Sequence, residues 1–184
     1  MNRRPVLYLI ASGAAPARGL PALVADLARD WDTCVITTPE GSRFFDVREV
    51  AELTGHPVRA SYKDPDAPDI LPPPGAFAAA PATFNTINKW AAGISDTLAL
   101  GLLNEAIGLG LPIVTVPWPN AALARHPAFG RSVALLRECG VNVILDEENL
   151  PDGNNPGRVF PWEQLRAELA RLRADFAAGH MRLR

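Results

Sequence analysis

Five short runs of apolar and β-branched residues, each followed by a segment of different periodicity, constrain this chain of 184 residues more than any other feature. They occupy residues 6–11, 33–37, 76–80, 113–116 and 141–145. Runs this short and this apolar fit strands buried on both faces, which occur in parallel sheets crossed over by helices. Between them apolar residues recur every three or four positions: Leu20, Leu23, Val24, Leu27 and Trp31 after the first run, and Val47, Val50, Ala51 and Leu53 up to Gly55 after the second. After the third run, Ile87, Trp90, Ala91, Ile94, Leu98 and Leu102 predict one long helix. Residues 128–139 predict another, closed by Gly140. Trp162, Leu165, Leu169, Leu172 and Phe176 mark a closing helix within residues 162–184. The alternation predicts an α/β fold, a three-layer, doubly wound parallel sheet.

Two segments lie outside that rhythm. Residues 56–61 form a candidate short strand. Residues 63–75 hold five prolines and three aspartates, and because proline has no N–H to donate they predict a stiff loop. Proline is the one compositional outlier, 18 of 184 residues against about 5 % on average. The length fits a single domain spanning residues 1–184. Lys plus Arg number 18 and Asp plus Glu 20, a net charge of −2, so no field draws in nucleic acid or an anionic membrane. Residues 91–118 carry only Asp96 and Glu105, yet Gly108, Gly110 and Pro112 divide them into a helix-length and a strand-length piece, each too short for a membrane span. Six apolar residues before Ser12 are too few for the core of a signal peptide. Cys34 and Cys139, both in apolar stretches, suit a reduced, cytoplasmic chain, and no metal site is expected.

Parallel sheets of this kind bind ligands beyond the carboxyl ends of their strands. Ser12, Gly13 and Ala14 follow the first run, where backbone N–H groups and a helix dipole favour an anion; a plain tight turn is the alternative. Neither G-x-G-x-x-G nor G-K-[ST] occurs. Thr83, Asn85 and Thr86 follow the third run and open a helix, so their side chains and N–H groups converge on one point. Helix capping alone also accounts for them.

The run Pro81-Ala82-Thr83-Phe84-Asn85-Thr86-Ile87-Asn88-Lys89-Trp90-Ala91-Ala92-Gly93-Ile94-Ser95-Asp96-Thr97-Leu98 resembles the P-x-S-A-N-T-x-x-K-x-A-x-G-x-x-D-N-L signature of the flavin-dependent cysteine decarboxylases, a family that includes the phosphopantothenoylcysteine and lanthipeptide decarboxylases. Residues 38–45 resemble its second flavin loop, Pro117-Trp118-Pro119-Asn120 with His126-Pro127-Ala128 its P-A-M-N…H-P-A element, and Gly157-Arg158-Val159 the G-R-M that ends its substrate lid. The resemblance spans about residues 6–162. It implies a Rossmann-like, flavodoxin-like fold and an FMN held by Ser12, Gly13, Ala14, Thr37, Thr38, Ser42, Phe45, Thr83, Phe84, Asn85, Thr86 and Lys89. It also implies that Asn85 and Asn120 hold the substrate, and a homo-oligomer, a trimer or multiple of trimers, with the flavin near a subunit interface; the apolar helix after Asn85 and the exposed-looking Trp90 are compatible with that, core packing being the other reading of such a stripe.

The chain departs from that pattern on the substrate side. The family's general base, a histidine, has its slot near Ala67, but no histidine lies between His56 and His126. Asp64, Asp66 and Asp69 stand there, and Asp66 and Asp69 are the candidate bases; solvated turn aspartates are the other reading. Trp118 and Pro119 replace Ala and Met, Phe84 replaces alanine, Glu40 replaces a small hydroxyl residue, and the lid region lacks the cysteine of the coenzyme A pathway enzymes. His126, before Pro127 at a helix start, reads as structural. The expectation is a flavoprotein, an oxidoreductase or decarboxylase with a small carboxylate or thiol substrate unlike the family's usual one, or a non-catalytic flavin-binding subunit. The Asn85-Thr86…Lys89 spacing argues against a flavin prenyltransferase.

Overall fold

Every side chain of strand β1 (Val6–Ala11) is buried, and the pleat sends alternate ones to opposite faces. Val6, Tyr8 and Ile10 enter one core with Cys34, Ile36, Phe77 and Ala79. Leu7, Leu9 and Ala11 enter the other with Val35, Ala78 and Val114. A strand buried on both sides has to lie inside a sheet, and β1 does, between β2 (Asp32–Thr37) and β3 (Ala76–Ala82). The structure, a computed structural model, describes residues 4–152 and 158–179. With β4 (Ile113–Pro117) and β5 (Asn142–Val143) they form a five-stranded parallel sheet of order β2-β1-β3-β4-β5. This is the expected α/β class.

Helices close both faces. On one, α3 (Phe84–Ala91), α4 (Leu98–Gly108) and α6 (Pro127–Glu138) bury Ile87, Trp90, Leu103, Phe129 and Leu136. On the other, α1 (Leu20–Leu27), α2 (Val47–Thr54) and the closing α7 (Trp162–Ala177) bury Leu20, Leu23, Val50, Leu165 and Leu169. Each such buried aliphatic side chain contributes about 1.5–3 kcal/mol. Between β4 and α6 lies the short α5 (Ala121–Ala124). Among the described residues no helix is long and apolar enough to cross a membrane.

Four expectations change. The long helix after Pro81 is two helices: Gly93, at φ 71°, ends α3 in a Schellman closure, its N–H donating to the Trp90 carbonyl while the Ile94 N–H donates to that of Lys89. Thr97 then caps α4 by accepting the Leu100 N–H at 3.2 Å. The apolar period ran through this break because Ile94, 43 % exposed, happens to keep the spacing. Trp90 is not an exposed residue but 1 % exposed, packed under the sheet. The last strand covers only residues 142 and 143, since β4 continues to Pro117, which has no N–H for the ladder. Residues 56–61, interrupted by Pro57, contribute one bridge, Arg59 to Ile36. Of the two cysteines Cys34 is buried, and Cys139 is exposed at the end of α6.

Candidate active site

The strand order reverses direction of growth at β1 and β3, so the loops leaving their carboxyl ends part and open a crevice. A cavity of about 630 Å³ lies there, within the range typical of small-molecule sites. Four of the five strands contribute: Gly13 and Ala14 after β1, Thr38, Pro39 and Glu40 after β2, Thr83, Phe84, Asn85 and Thr86 after β3, Trp118, Pro119 and Asn120 after β4.

A chain of hydroxyls ties two of these loops. Thr83 caps α3, accepting the Thr86 N–H at 3.3 Å, and the Thr86 hydroxyl lies 3.0 Å from that of Thr83 and 2.8 Å from that of buried Ser12. The Ser12 N–H donates to the Pro81 carbonyl at 2.9 Å. Capping leaves the Phe84 and Asn85 N–H groups without intrahelical acceptors, at the positive end of the helix. The β2 loop is pressed against the β1 loop. The Thr37 hydroxyl donates to the Ala11 carbonyl at 3.1 Å, and the Gly41 N–H donates to Thr38 Oγ1 at 3.1 Å. A Cβ on Gly13 would sit 2.9 Å from Glu40 Cβ, and one on Gly41 would meet Thr37 Oγ1 and come within 2.5 Å of the Ala11 carbonyl oxygen, so only glycine permits this approach.

Of the predicted cofactor residues, Gly13, Ala14, Thr38, Thr83, Phe84, Asn85, Thr86 and Lys89 line the cavity. Ser12 and Thr37 are buried behind its wall, and Ser42, donating to the Pro39 carbonyl at 2.8 Å, and half-buried Phe45 brace the β2 loop from outside. Lys89, at the rim, is held by Asp96 at 2.5 Å. Asn85 and Asn120 are brought together on the lining. The Asn85 carboxamide has no partner among the described residues. Asn120 spends its oxygen on the Leu123 N–H at 2.8 Å, capping α5, and keeps its NH₂ free.

Asp66 and Asp69 do not line this cavity. Both are exposed in the proline loop, and the Asp69 carboxylate is 3.5 Å from Lys63 Nζ, in a hollow on the α4 face beside Tyr8 and Leu71. In that hollow the Tyr8 hydroxyl donates to the Pro72 carbonyl at 3.0 Å, and burial, with Cys34 nearby, pushes it up to about 12. His126 caps α6, its Nδ1 accepting the Ala128 N–H at 3.1 Å. Gly157 lies outside the described residues, as do His180 and part of the lid region; Arg158 and Val159 are exposed. Sequence reasoning missed Thr97 and Leu100, which reach the cavity through the start of α4. The signal was available in Gly93 followed by a capping threonine four residues on.

The donors suit a planar ligand with an anionic tail. Unpaired helix-start N–H groups and hydroxyls offer the polar end, and Phe84, Leu100, Trp118 and Leu123 form flat apolar walls. No cluster of metal-ligating side chains occurs among the described residues.

A family profile described as Flavoprotein matches residues 1–173. A cysteine/cysteine sulfinic acid decarboxylase of an unknown prokaryotic organism is 31 % identical over 101 residues, 52 % of this chain and 27 % of that protein. The coenzyme A biosynthesis bifunctional protein CoaBC of Bacillus subtilis (strain 168) is 27 % identical over 155 residues, 80 % of this chain and 37 % of that protein. The chain thus spans between a quarter and two fifths of the length of these relatives. Among solved structures, the FMN-dependent cysteine decarboxylase TvaF from thioviridamide biosynthesis superposes with a TM-score of 0.75 at 22 % identity, covering 94 % of this chain and 99 % of TvaF; the likeness is one of fold.

Proposed function

The chain belongs to the flavoprotein family, and from that premise we propose that it holds FMN in the crevice beyond β1, β2 and β3 and acts as an oxidoreductase or decarboxylase on a small carboxylate or thiol-containing substrate. One observation carries this reading: the loops after these strands are locked together around a single cavity whose polar lining is unpaired N–H groups, hydroxyls and two carboxamides. Bound there, FMN supplies an acceptor for a hydride from the substrate.

The chain's own residues bind and orient. The N–H groups opening α3, with the Thr83 and Thr86 hydroxyls, offer donors to the phosphate, and Lys89 adds charge at the rim. Asn85 and Asn120 direct NH₂ groups to an acid or amide on the substrate. Pro39, Pro119 and the bulk of Trp118 keep the loops stiff, which lowers the ordering cost of binding. Asp66 or Asp69 can take a proton only if the loop of a second copy reaches the cavity, which fits a trimer or multiple of trimers with the flavin near the subunit interface. Cys34 and Cys139, both free, are in keeping with a reducing, cytoplasmic setting.

The visible spectrum of purified protein, followed by anaerobic addition of thiols and carboxylates, tests the proposal. Yellow protein that bleaches with one of these supports the enzyme. The missing histidine favours a second reading, a flavin-binding regulatory or assembly subunit, which predicts yellow protein that photoreduces but bleaches with none.

A further inference from the structure

Two aromatic side chains stand on the cavity wall where small or flexible residues would leave more room, and both are braced from behind. The Phe84 ring meets His126 edge-on at 5.8 Å and 83° and stacks on buried Phe129 at 6.2 Å and 21°. The Trp118 ring packs against Phe160 at 5.2 Å and 66°, and Phe160 in turn rests on Trp162 at 4.4 Å. Each is half-buried, so its packed side is spent inside the protein and its other side is presented to the cavity. Rings held in this way bind flat apolar surface at little conformational cost.

The carboxamides on the same lining have a definite sense. Asn120 has its oxygen engaged by the Leu123 N–H, so what it offers is a donor. Asn85 is unpartnered and its amide can turn the same way. Lys89, the cation on the cavity lining, is engaged by Asp96 at the rim, and the Glu40 carboxylate is paired with Arg43 at 2.9 Å. Donors without a free anion facing them select an acceptor ligand, and apolar rings beside them select what carries it.

We infer that the substrate half of the cavity takes a carboxylate borne on an aromatic or similarly flat apolar group. This rests on the flavin reading above, since FMN fills the phosphate-facing half. An aromatic acid seats its ring against Phe84 and Trp118 while its carboxylate accepts from Asn85 and Asn120.

The test uses the FMN-loaded protein and two probes, 3-phenylpropionate and butanoate, titrated against the flavin absorbance spectrum. The aromatic acid is expected to bind at least about tenfold tighter. W118L, checked for an unchanged melting temperature and FMN affinity, brings that ratio towards one, and F84L, saturated with FMN at whatever affinity it retains, does the same, whereas N120A weakens both acids alike. Failure to load FMN sinks the flavin reading itself. Loading with equal affinity for the two acids overturns the inference, as does an unchanged ratio in both leucine variants. A W118L or F84L that binds FMN more weakly yet, once saturated with it, keeps the ratio assigns the ring to the cofactor and overturns it too. Should either variant fold poorly, W118F and F84Y preserve a flat ring and are expected to preserve the preference.

Discussion

Replacing Thr86 with valine removes one hydroxyl and almost no volume, and the structure says what that hydroxyl holds. It sits 2.8 Å from the Ser12 hydroxyl and 3.0 Å from that of Thr83, and Thr86 and Ser12 are 5 % and 1 % exposed. Two hydrogen bonds are lost, each with a net value of about 1 kcal/mol, and Ser12 is left buried without its partner. Thr83 keeps the Thr86 N–H, so the helix cap survives. The total comes to about 2 kcal/mol, and in a domain of this size a loss of 1 kcal/mol lowers the melting temperature by about 2–4 °C, which gives about 4–8 °C. Urea unfolding is the assay, read as a lower midpoint at unchanged slope. T86S, which retains the hydroxyl, should lose much less. The S12A/T86V double variant should fall short of the summed single effects, because the two side chains share one contact. A T86V within about 0.5 kcal/mol of the parent, the ordinary range of a surface change, would refute the claim that these hydroxyls join β1 to β3.

Other predictions follow from the same geometry. Gly41→Ala gains about 0.4–1 kcal/mol by restricting the unfolded chain, but its Cβ meets Thr37 and the Ala11 carbonyl, a clash of about 1–3 kcal/mol, so it should destabilise and weaken FMN binding; a gain in stability would show that the β1 and β2 loops do not meet as described. Gly93→Ala should cost about 1–2 kcal/mol for the left-handed backbone at φ 71°, read by urea unfolding, and no loss would mean that the break between α3 and α4 is absent. Burial pushes Cys34 from 9.0 and Tyr8 from 10.0 up to about 12 each. Both are acids with a raised folded value, so the unfolded chain gives up protons first and stability falls as pH rises from about 9 towards 12. Unfolding free energies across that window should decline less steeply in C34A, and an identical decline would remove Cys34 from the explanation. At pH 8 a maleimide should label Cys139 and spare Cys34 until the chain unfolds, which mass analysis of peptides decides.

The alternation that pointed to a parallel sheet was legible because strands buried on both faces have to be apolar throughout, as β1 is. Helix boundaries were less so. The period from Ile87 to Leu102 ran across Gly93, and spacing alone does not distinguish a continuous helix from two whose faces line up. Trp90 was misjudged for a related reason: its exposure depends on which way α3 turns, and that is set by packing beneath the sheet. The lining residues after β1, β2 and β3 were readable from motif order, since strand ends converge wherever the sheet is parallel. Counting along the chain puts Asp66 and Asp69 in the base slot, but in one copy the proline loop carries Asp69 to the α4 face and leaves Asp66 exposed. The bracing of Phe84 by Phe129 and of Trp118 by Phe160 joins residues more than 40 positions apart and left no local trace.

Titrating the ligand-free protein with FMN while following flavin fluorescence tests the central claim most directly. The account predicts quenching that saturates at one FMN per chain, weakened by G41A. Fluorescence that stays that of free FMN at every ratio, with protein shown by circular dichroism to be folded, would contradict it.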